Sequence, residues 1–215
     1  MVFAQKNEPI YIVTEYSEYG SLFNVLQRKG RPRVSPDHMS KQVAEGMDYL
    51  EEQNCIHRDV AAWNIRVGQD LRCKVANFEM ARMLGKSNHF EVYDEQRSTY
   101  KWTAPGAAIQ NKYNIKSDIW SFGIVLYEIF TRGCPTYPGM TDDQMLLKVQ
   151  YGYRMPQPHG CQKQLYDIML QCWKEKPMNR PTFRELATQL LRSNNNFDIV
   201  FTSEQIFSDP ATLLR

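Results

Sequence analysis

Apolar residues recur along this chain at one spacing typical of strands and another typical of helices. Segment 9–14 is rich in β-branched and aromatic residues, which predicts one buried strand. Between residues 35 and 53, apolar side chains repeat at three- and four-residue intervals: Met39, Val43, Met47 and Leu50. This repeat predicts an amphipathic helix, and Ser35 followed by Pro36 predicts an N-cap and a first helical residue.

The second half of the chain is predicted to be mainly helical. Segment 117–131 is apolar on nearly every face, which predicts a central buried helix with Gly133 as its C′ residue. Thr141 and Thr182 each begin a capping-box pattern and therefore a helix. Segment 165–173 is amphipathic and predicts a further helix between these two.

Two segments in the middle of the chain have a different pattern. Segment 65–76 has two short apolar runs separated by Gly68-Gln69-Asp70, which predicts a small hairpin. Segment 77–104 is polar and aperiodic, and its length predicts a functional loop. Together with the helices, these features predict a mostly α-helical domain with a strand at its N-terminal edge.

Composition narrows the class of protein. The chain has 215 residues, 42% of them hydrophobic, and a formal net charge of +2, as expected for a globular domain. The dispersed charge argues against a nucleic-acid partner. Five scattered cysteines fit reduced thiols, and no apolar run approaches the roughly 18 residues of a membrane span. We therefore expect a cytoplasmic protein without a transmembrane segment.

The segment from His57 to Asn64 carries the candidate chemistry. His57-Arg58-Asp59 is followed five residues after the aspartate by Asn64, which is the catalytic-loop pattern of protein kinases. Thirteen residues further on, Asn77-Phe78-Glu79 stands where that pattern has Asp-Phe-Gly. The sequence therefore carries one kinase motif intact and the next one altered.

Several further blocks occur in the order that kinases have. They are Lys101-Trp102-Thr103-Ala104-Pro105, Ser117-Asp118-Ile119-Trp120-Ser121-Phe122-Gly123, Pro138-Gly139-Met140, Gly152-Tyr153-Arg154-Met155-Pro156, Cys172-Trp173 and Arg180-Pro181-Thr182. With these blocks, residues 2–192 resemble the C-lobe of a Src-type non-receptor tyrosine kinase of the Frk/Brk branch. The resemblance implies a protein-kinase-like α+β fold, here mainly the α-helical C-lobe with one or two N-lobe strands.

The resemblance also implies a division of the chain. Residues 1–14 would be a remnant of the N-lobe, 15–192 the C-lobe and 193–215 a loosely ordered tail. Because the sequence contains no G-x-G-x-x-G loop or V-A-I-K lysine, we expect a chain truncated at its N-terminus. The implied nucleotide-binding residues are a gatekeeper, three hinge residues, the start of the next helix and the adenine floor: Thr14, Glu15, Tyr16, Ser17, Gly20 and Arg66.

The resemblance assigns roles to the catalytic loop as well. Asp59 would accept the proton of the substrate hydroxyl, and Asn64 would bind Mg²⁺. The alternative is a relic loop that is kept only for folding. Arg58 would pair with a phosphorylated activation loop, in which Tyr93 is the candidate phosphosite; a plain loop arginine and a plain exposed tyrosine are the alternatives. His57, Phe78, Asp118 and Arg180 are expected to be structural.

Departures from the family pattern fall on positions that would bind the metal and the nucleotide, present the substrate or anchor the activation segment. Asn77 replaces the aspartate that chelates metal, and Glu79 replaces a glycine in the same turn. Arg66 replaces an apolar residue beneath adenine, and Trp63 replaces a catalytic-loop arginine. A further change, Gly106, replaces the glutamate that pairs with the arginine at position 180, so a buried Arg180 without another partner would cost roughly 3–5 kcal/mol.

The function implied is ATP-dependent phosphorylation of protein tyrosine, with ATP and Mg²⁺ as cofactors and protein substrates or a kinase as partners. The departures predict that this chain is catalytically impaired and binds Mg-nucleotide weakly. One alternative is a pseudokinase-like interaction module. The other is a truncated product without a function.

Overall fold

The computed structural model describes residues 2–4, 11–28, 35–85, 88–92 and 99–194. The candidate phosphosite Tyr93 lies outside the described residues, and so does the chain beyond 194. The predicted architecture, mainly helical with a few short strands, is confirmed.

The helices are α1 Leu22–Gln27, α2 Pro36–Glu52, α3 Pro105–Gln110, α4 Ile115–Phe130, α5 Asp142–Gln150, α6 Lys163–Cys172 and α7 Phe183–Asn194. The strands are β1 Val2–Ala4, β2 Tyr11–Val13, β3 Cys55–Ile56, β4 Ile65–Val67, β5 Cys73–Val75, β6 Arg82–Met83, β7 Phe90–Glu91 and β8 Lys112–Tyr113. Each strand pairs antiparallel with one other strand: β1 with β2, β3 with β6, β4 with β5, and β7 with β8.

The N-terminal ribbon differs from the prediction in two ways. Strand β2 has a partner, β1, with Val2 opposite Val13, so the edge holds two strands where the apolar pattern had indicated one. Val13 is 54% exposed, so the prediction of a buried strand is wrong at this residue. The reason is that the sheet has two strands in the described part of the chain, and one ribbon cannot cover its own face.

Helix α4 is the centre of the core, as its apolar composition predicted. Every residue from Ser117 to Ile129 is buried. Its end differs in detail, because Arg132 takes the left-handed C′ position with φ +58° and Gly133 follows it. The Gly133 N–H donates to the Glu128 carbonyl at 2.7 Å, which completes a Schellman motif.

Helices α2 and α7 pack against each other and close the base of the lobe. Both predicted capping boxes are present, since the hydroxyls of Thr141 and Thr182 accept from the N–H groups of Gln144 and Glu185. Helix α2 begins after Ser35 as predicted, but the Ser35 hydroxyl makes no capping bond to the backbone. The hydroxyl instead donates to Asp37 Oδ2 at 3.4 Å.

The middle of the chain forms the predicted hairpin, in which β4 and β5 pair. The following segment, 77–104, is less irregular than predicted, because β6, β7 and two 3₁₀ turns interrupt it. Strand β6 pairs with β3 immediately before the catalytic loop. Helix α3 was not predicted, because a six-residue helix is too short to display an apolar repeat.

Candidate active site

Helix α4 fixes the backbone of the candidate catalytic loop. The carboxylate of Asp118 is buried and accepts two backbone N–H groups, from His57 at 2.7 Å and from Arg58 at 2.9 Å. Arg58 has φ +69°, a left-handed conformation that side chains other than glycine adopt rarely. The two hydrogen bonds hold this turn, which directs Asp59 out of the core.

His57 is packed inside the loop. It is fully buried, and its Nε2–H donates to the carbonyl of Ala76 at 2.9 Å. Its Nδ1 accepts from the backbone N–H of Asp59 at 3.3 Å, and its ring meets the edge of Phe78 at 5.2 Å. Since both ring nitrogens are engaged within the loop, His57 joins the catalytic loop to the segment around Asn77.

Asp59, Asn64 and Asn77 form a continuous chain of side-chain hydrogen bonds. The Nδ2 of Asn64 donates to Asp59 Oδ2 at 2.6 Å and to the Asp59 carbonyl at 2.8 Å. The Nδ2 of Asn77 then donates to Asn64 Oδ1 at 3.0 Å. Asp59 Oδ1 is buried and has no hydrogen-bond partner among the described residues.

These contacts do not fit a Mg²⁺ ion. The Asn64 oxygen that would bind the metal already accepts the Asn77 amide, and Asn77 brings no negative charge. Mg²⁺ is normally held by carboxylates and phosphates. In the described part of the chain, no group of three or more His, Cys, Asp or Glu residues is arranged to hold a metal. Asn64 and Asn77 therefore do not supply the carboxylate that Mg²⁺ prefers.

The residues expected at the nucleotide divide into two groups. Gly20 and Arg66 are brought together: the Gly20 carbonyl accepts from Val67 N–H at 2.9 Å, and Ser21 bridges to Arg66, whose side chain is exposed. Thr14, Glu15 and Tyr16 are exposed and Ser17 is half-buried. Glu15 makes an ion pair with Lys74 across the hairpin at 2.6 Å.

Arg58 lies between two aromatic rings. Its guanidinium carbon is 5.0 Å from the centre of the Phe90 ring and 5.1 Å from that of Tyr113, and its Nη1 donates to the carbonyl of Met80 at 3.1 Å. This side chain is buried. It therefore ties the catalytic loop to β7, β8 and the turn after Phe78.

Arg180 is buried, as expected, and has partners that the sequence did not indicate. Its three nitrogens donate to backbone carbonyls of Lys174, Lys116 and Glu175 at 2.8, 2.7 and 3.1 Å, and it lies 5.0 Å from the Trp120 ring. Burial lowers the pKa of Arg180 to about 10. The cost expected for an unpaired arginine therefore does not apply, because neutral acceptors surround it while the surface at Gly106 is open.

A buried carboxylate, Glu128, was missed by the sequence reasoning. Its Oε2 accepts both the Ala62 backbone N–H and the Trp102 Nε1–H at 3.0 Å. The ring of Trp102 meets that of Trp63 edge to face at 4.5 Å. The signal was present in the sequence, because a glutamate inside a helix that is apolar on every face is rarely buried without a purpose.

A model of the protein tyrosine and serine/threonine kinase family matches residues 1–190 of the chain. The chain belongs to this family. It is also 48% identical over 189 residues to the tyrosine-protein kinase SRK3 of Spongilla lacustris. The match covers 85% of this chain and 55% of that kinase, so this kinase-family chain spans about half the length of the relative. No helix in the described ranges is long and apolar enough to cross a membrane.

Proposed function

We propose that this chain is a tyrosine-kinase C-lobe that binds tyrosine-containing segments of partner proteins and is impaired in phosphoryl transfer. The observation that carries this proposal is the hydrogen bond from Asn77 Nδ2 to Asn64 Oδ1. It joins the two positions that the family uses for metal, with one amide blocking the oxygen of the other. The Frk/Brk subtype and the division of the chain at residues 14 and 192 are parts of the same proposal.

Loss of the metal carboxylate affects the chemistry directly. Kinases rely on Mg²⁺ to bridge the β- and γ-phosphates and to neutralise the charge that develops during transfer. With asparagine at position 77, an approaching triphosphate meets amides where its metal needs anionic oxygen. The exposed cation of Arg66 replaces the apolar contact beneath adenine. Both changes support weak binding of ATP and Mg²⁺ by this chain.

The part of the site that would receive the substrate tyrosine keeps more of the family's residues than the part that would bind metal and nucleotide. Asp59 Oδ1 has an unused lone pair, and Asp118 fixes the loop that presents it. A tyrosine hydroxyl that displaces the atoms covering this buried oxygen would give it the partner it lacks. Trp63, in the same loop as Asp59, and Trp102 pack against each other and are both half-buried, so they leave part of an aromatic surface accessible. We therefore assign tyrosine-containing protein segments as the ligand class.

Phosphoryl transfer to protein tyrosine is the second candidate function. The intact Asp59–Asn64 pair favours it, because this is the arrangement that orients a substrate hydroxyl. A third reading, a product without a function, predicts neither peptide binding nor transfer.

We also propose a cytoplasmic location for this chain. Five free thiols, of which Cys73, Cys161 and Cys172 are buried, support it, because thiols stay reduced in the cytoplasm.

Two assays on the purified chain separate these functions. In the first, radiolabelled ATP with Mg²⁺ and a Glu-Tyr copolymer should give no transfer above that of the Asp59→Ala variant. Transfer that Asp59→Ala abolishes would favour the enzyme. In the second, a fluorescent tyrosine peptide should bind the chain, whereas the matched phenylalanine peptide and Asp59→Ala should bind more weakly. Equal binding of both peptides would remove the assigned role of Asp59.

Asn77→Asp tests the metal argument with a readout other than turnover. The carboxylate cannot donate to Asn64 Oδ1, so that oxygen becomes available beside a new negative charge. Mg²⁺ or Mn²⁺ should then raise the melting temperature of Asn77→Asp and leave that of the unmodified chain unchanged. An equal shift in both proteins would show that the two asparagines do not block the metal.

A further inference from the structure

Glu128 lies where three parts of the fold meet. Its helix, α4, is the core of the lobe; its Oε2 accepts the Ala62 N–H from the catalytic loop and the Trp102 indole N–H from the segment after residue 99. A second bond from the same helix, Ser121 Oγ–H to the Trp102 carbonyl at 2.7 Å, fixes the backbone of that segment. The hydrogen bond to Glu128 is the one that reaches the indole N–H itself among the described residues.

The indole ring held in this way is partly accessible to solvent, and together with the ring of Trp63 it forms what we call the Trp63–Trp102 face. Trp102 is half-buried and stands edge to face against Trp63, one residue before Asn64. The buried carboxylate therefore sets the position of one tryptophan through its Nε1–H and supports the other through the Ala62 backbone. Trp63 lies in the catalytic loop, four residues after the Asp59 that we assign to tyrosine binding.

No cation neutralises this carboxylate within the described residues. Glu128 is 1% exposed, and burial outweighs its two hydrogen bonds and raises its pKa to about 7. The ionisable groups on the flanking segments are Asp59 before Ala62, Lys101 beside Trp102 and Arg132 beyond the helix end; none of them contributes to this pKa. Helix α1, which packs on the same turn, contains no ionisable residue.

We propose that Glu128 is a positioning residue that makes the Trp63–Trp102 face sensitive to protons. When ionised, its oxygen accepts two charge-assisted hydrogen bonds and holds the indole of Trp102 in place. A proton on the other oxygen, Oε1, removes the charge and weakens both bonds, because charge-assisted bonds are roughly twice as strong as neutral ones. The tryptophan pair is then held less firmly.

One part of this proposal rests on the proposed function: the expectation that peptide binding weakens in acid. The state of Glu128 itself is a property of the free chain. Affinity for a tyrosine peptide should fall roughly fivefold between pH 8 and pH 6, and in Glu128→Gln it should change little over that range. Failure of the peptide to bind at any pH would count against the proposed function and leave the titration of Trp102 untouched.

The test is therefore carried out on the full chain without peptide or nucleotide. The indole ¹⁵N–¹H resonance of Trp102, assigned by its loss in Trp102→Phe, is followed from pH 5.5 to 8.5. We expect one titration with a midpoint near 7. In Glu128→Gln the resonance should stay constant, whereas Glu45→Gln, an exposed glutamate on α2, should keep the midpoint.

Two results would overturn the proposal. One is a Trp102 resonance that does not move over this pH range in the unmodified chain, a measurement that does not depend on the folding of Glu128→Gln. The other is a titration that persists in Glu128→Gln, since another group would then be responsible. Intrinsic fluorescence of the same samples, compared with that of Trp102→Phe, reports whether the ring changes its surroundings with the same midpoint.

Discussion

Arg180 offers the sharpest test of how this lobe tolerates glycine at position 106. Its guanidinium donates three hydrogen bonds to backbone carbonyls, and a bond to a charged group contributes about 1.5–3 kcal/mol. The three together amount to roughly 5–9 kcal/mol. Burying the charge lowers the pKa to about 10, which costs roughly 3 kcal/mol. Arg180→Met should therefore lose about 2–6 kcal/mol of unfolding free energy.

The measurement is urea unfolding followed by intrinsic fluorescence. The midpoint should fall in Arg180→Met while the slope stays unchanged, since the surface exposed on unfolding is the same. Arg192→Met, an exposed arginine in the last turn of α7, is the matched control and should lose less than about 0.5 kcal/mol. A loss below about 1 kcal/mol for Arg180→Met would refute the reasoning, because the three carbonyls would then not depend on the guanidinium.

Three further changes test other features. Gly106→Glu should exceed Gly106→Gln in stability by less than about 1 kcal/mol, because position 106 is exposed and Arg180 already has acceptors; a gain above about 2 kcal/mol would show that the arginine lacks a counterion. Gly123→Ala should lose about 1–3 kcal/mol or more, since its Cβ would lie 2.5 Å from Trp173 Nε1; Gly85→Ala, where the space is open, serves as its control in thermal unfolding. Glu128 has a folded pKa of about 7, above its unfolded value near 4.5, so its stabilising contribution is present at low pH and lost as the pH rises through 7. Between pH 5 and pH 8 the chain should lose up to about 3 kcal/mol more than Glu128→Gln, and parallel pH profiles in urea unfolding would contradict the assignment.

The helices could be predicted because their signals are local. The repeat through Met39, Val43, Met47 and Leu50 and the two capping boxes are set by residues within four positions of each other. The C-terminal end of α4 was placed one residue too late, because Arg132 adopts the left-handed turn that glycine was expected to take. Short pairings such as β3 with β6 depend on residues far apart in sequence, so no local pattern indicates them.

The sequence named candidate site residues but could not indicate the contacts between them. The motif spacing indicated Asp59, Asn64 and Asn77, but the hydrogen bond between the two asparagines depends on side-chain geometry. The partners of Arg180 are carbonyls, which every residue has, so the sequence could not single them out. Glu128 was overlooked because the buried helix was treated as uniformly apolar.

The two hydrogen bonds that the Asp118 carboxylate accepts determine which site residues this chain can lose while the loop keeps its shape. The backbone N–H groups of His57 and Arg58 donate these bonds to a side chain of the core helix. The shape of the loop is therefore fixed when the chain folds and does not depend on a bound nucleotide. A change at Asn77 leaves both bonds in place, so a chain can lose its metal ligand in one mutation and still fold. Selection for a folded protein would preserve Asp118 for these bonds, and His57 and Arg58 for the side-chain bonds they make to the carbonyls of Ala76 and Met80, with or without catalysis. The residues of the catalytic loop are thus explained by folding stability, whereas the residue at position 77 says more about whether phosphoryl transfer is retained.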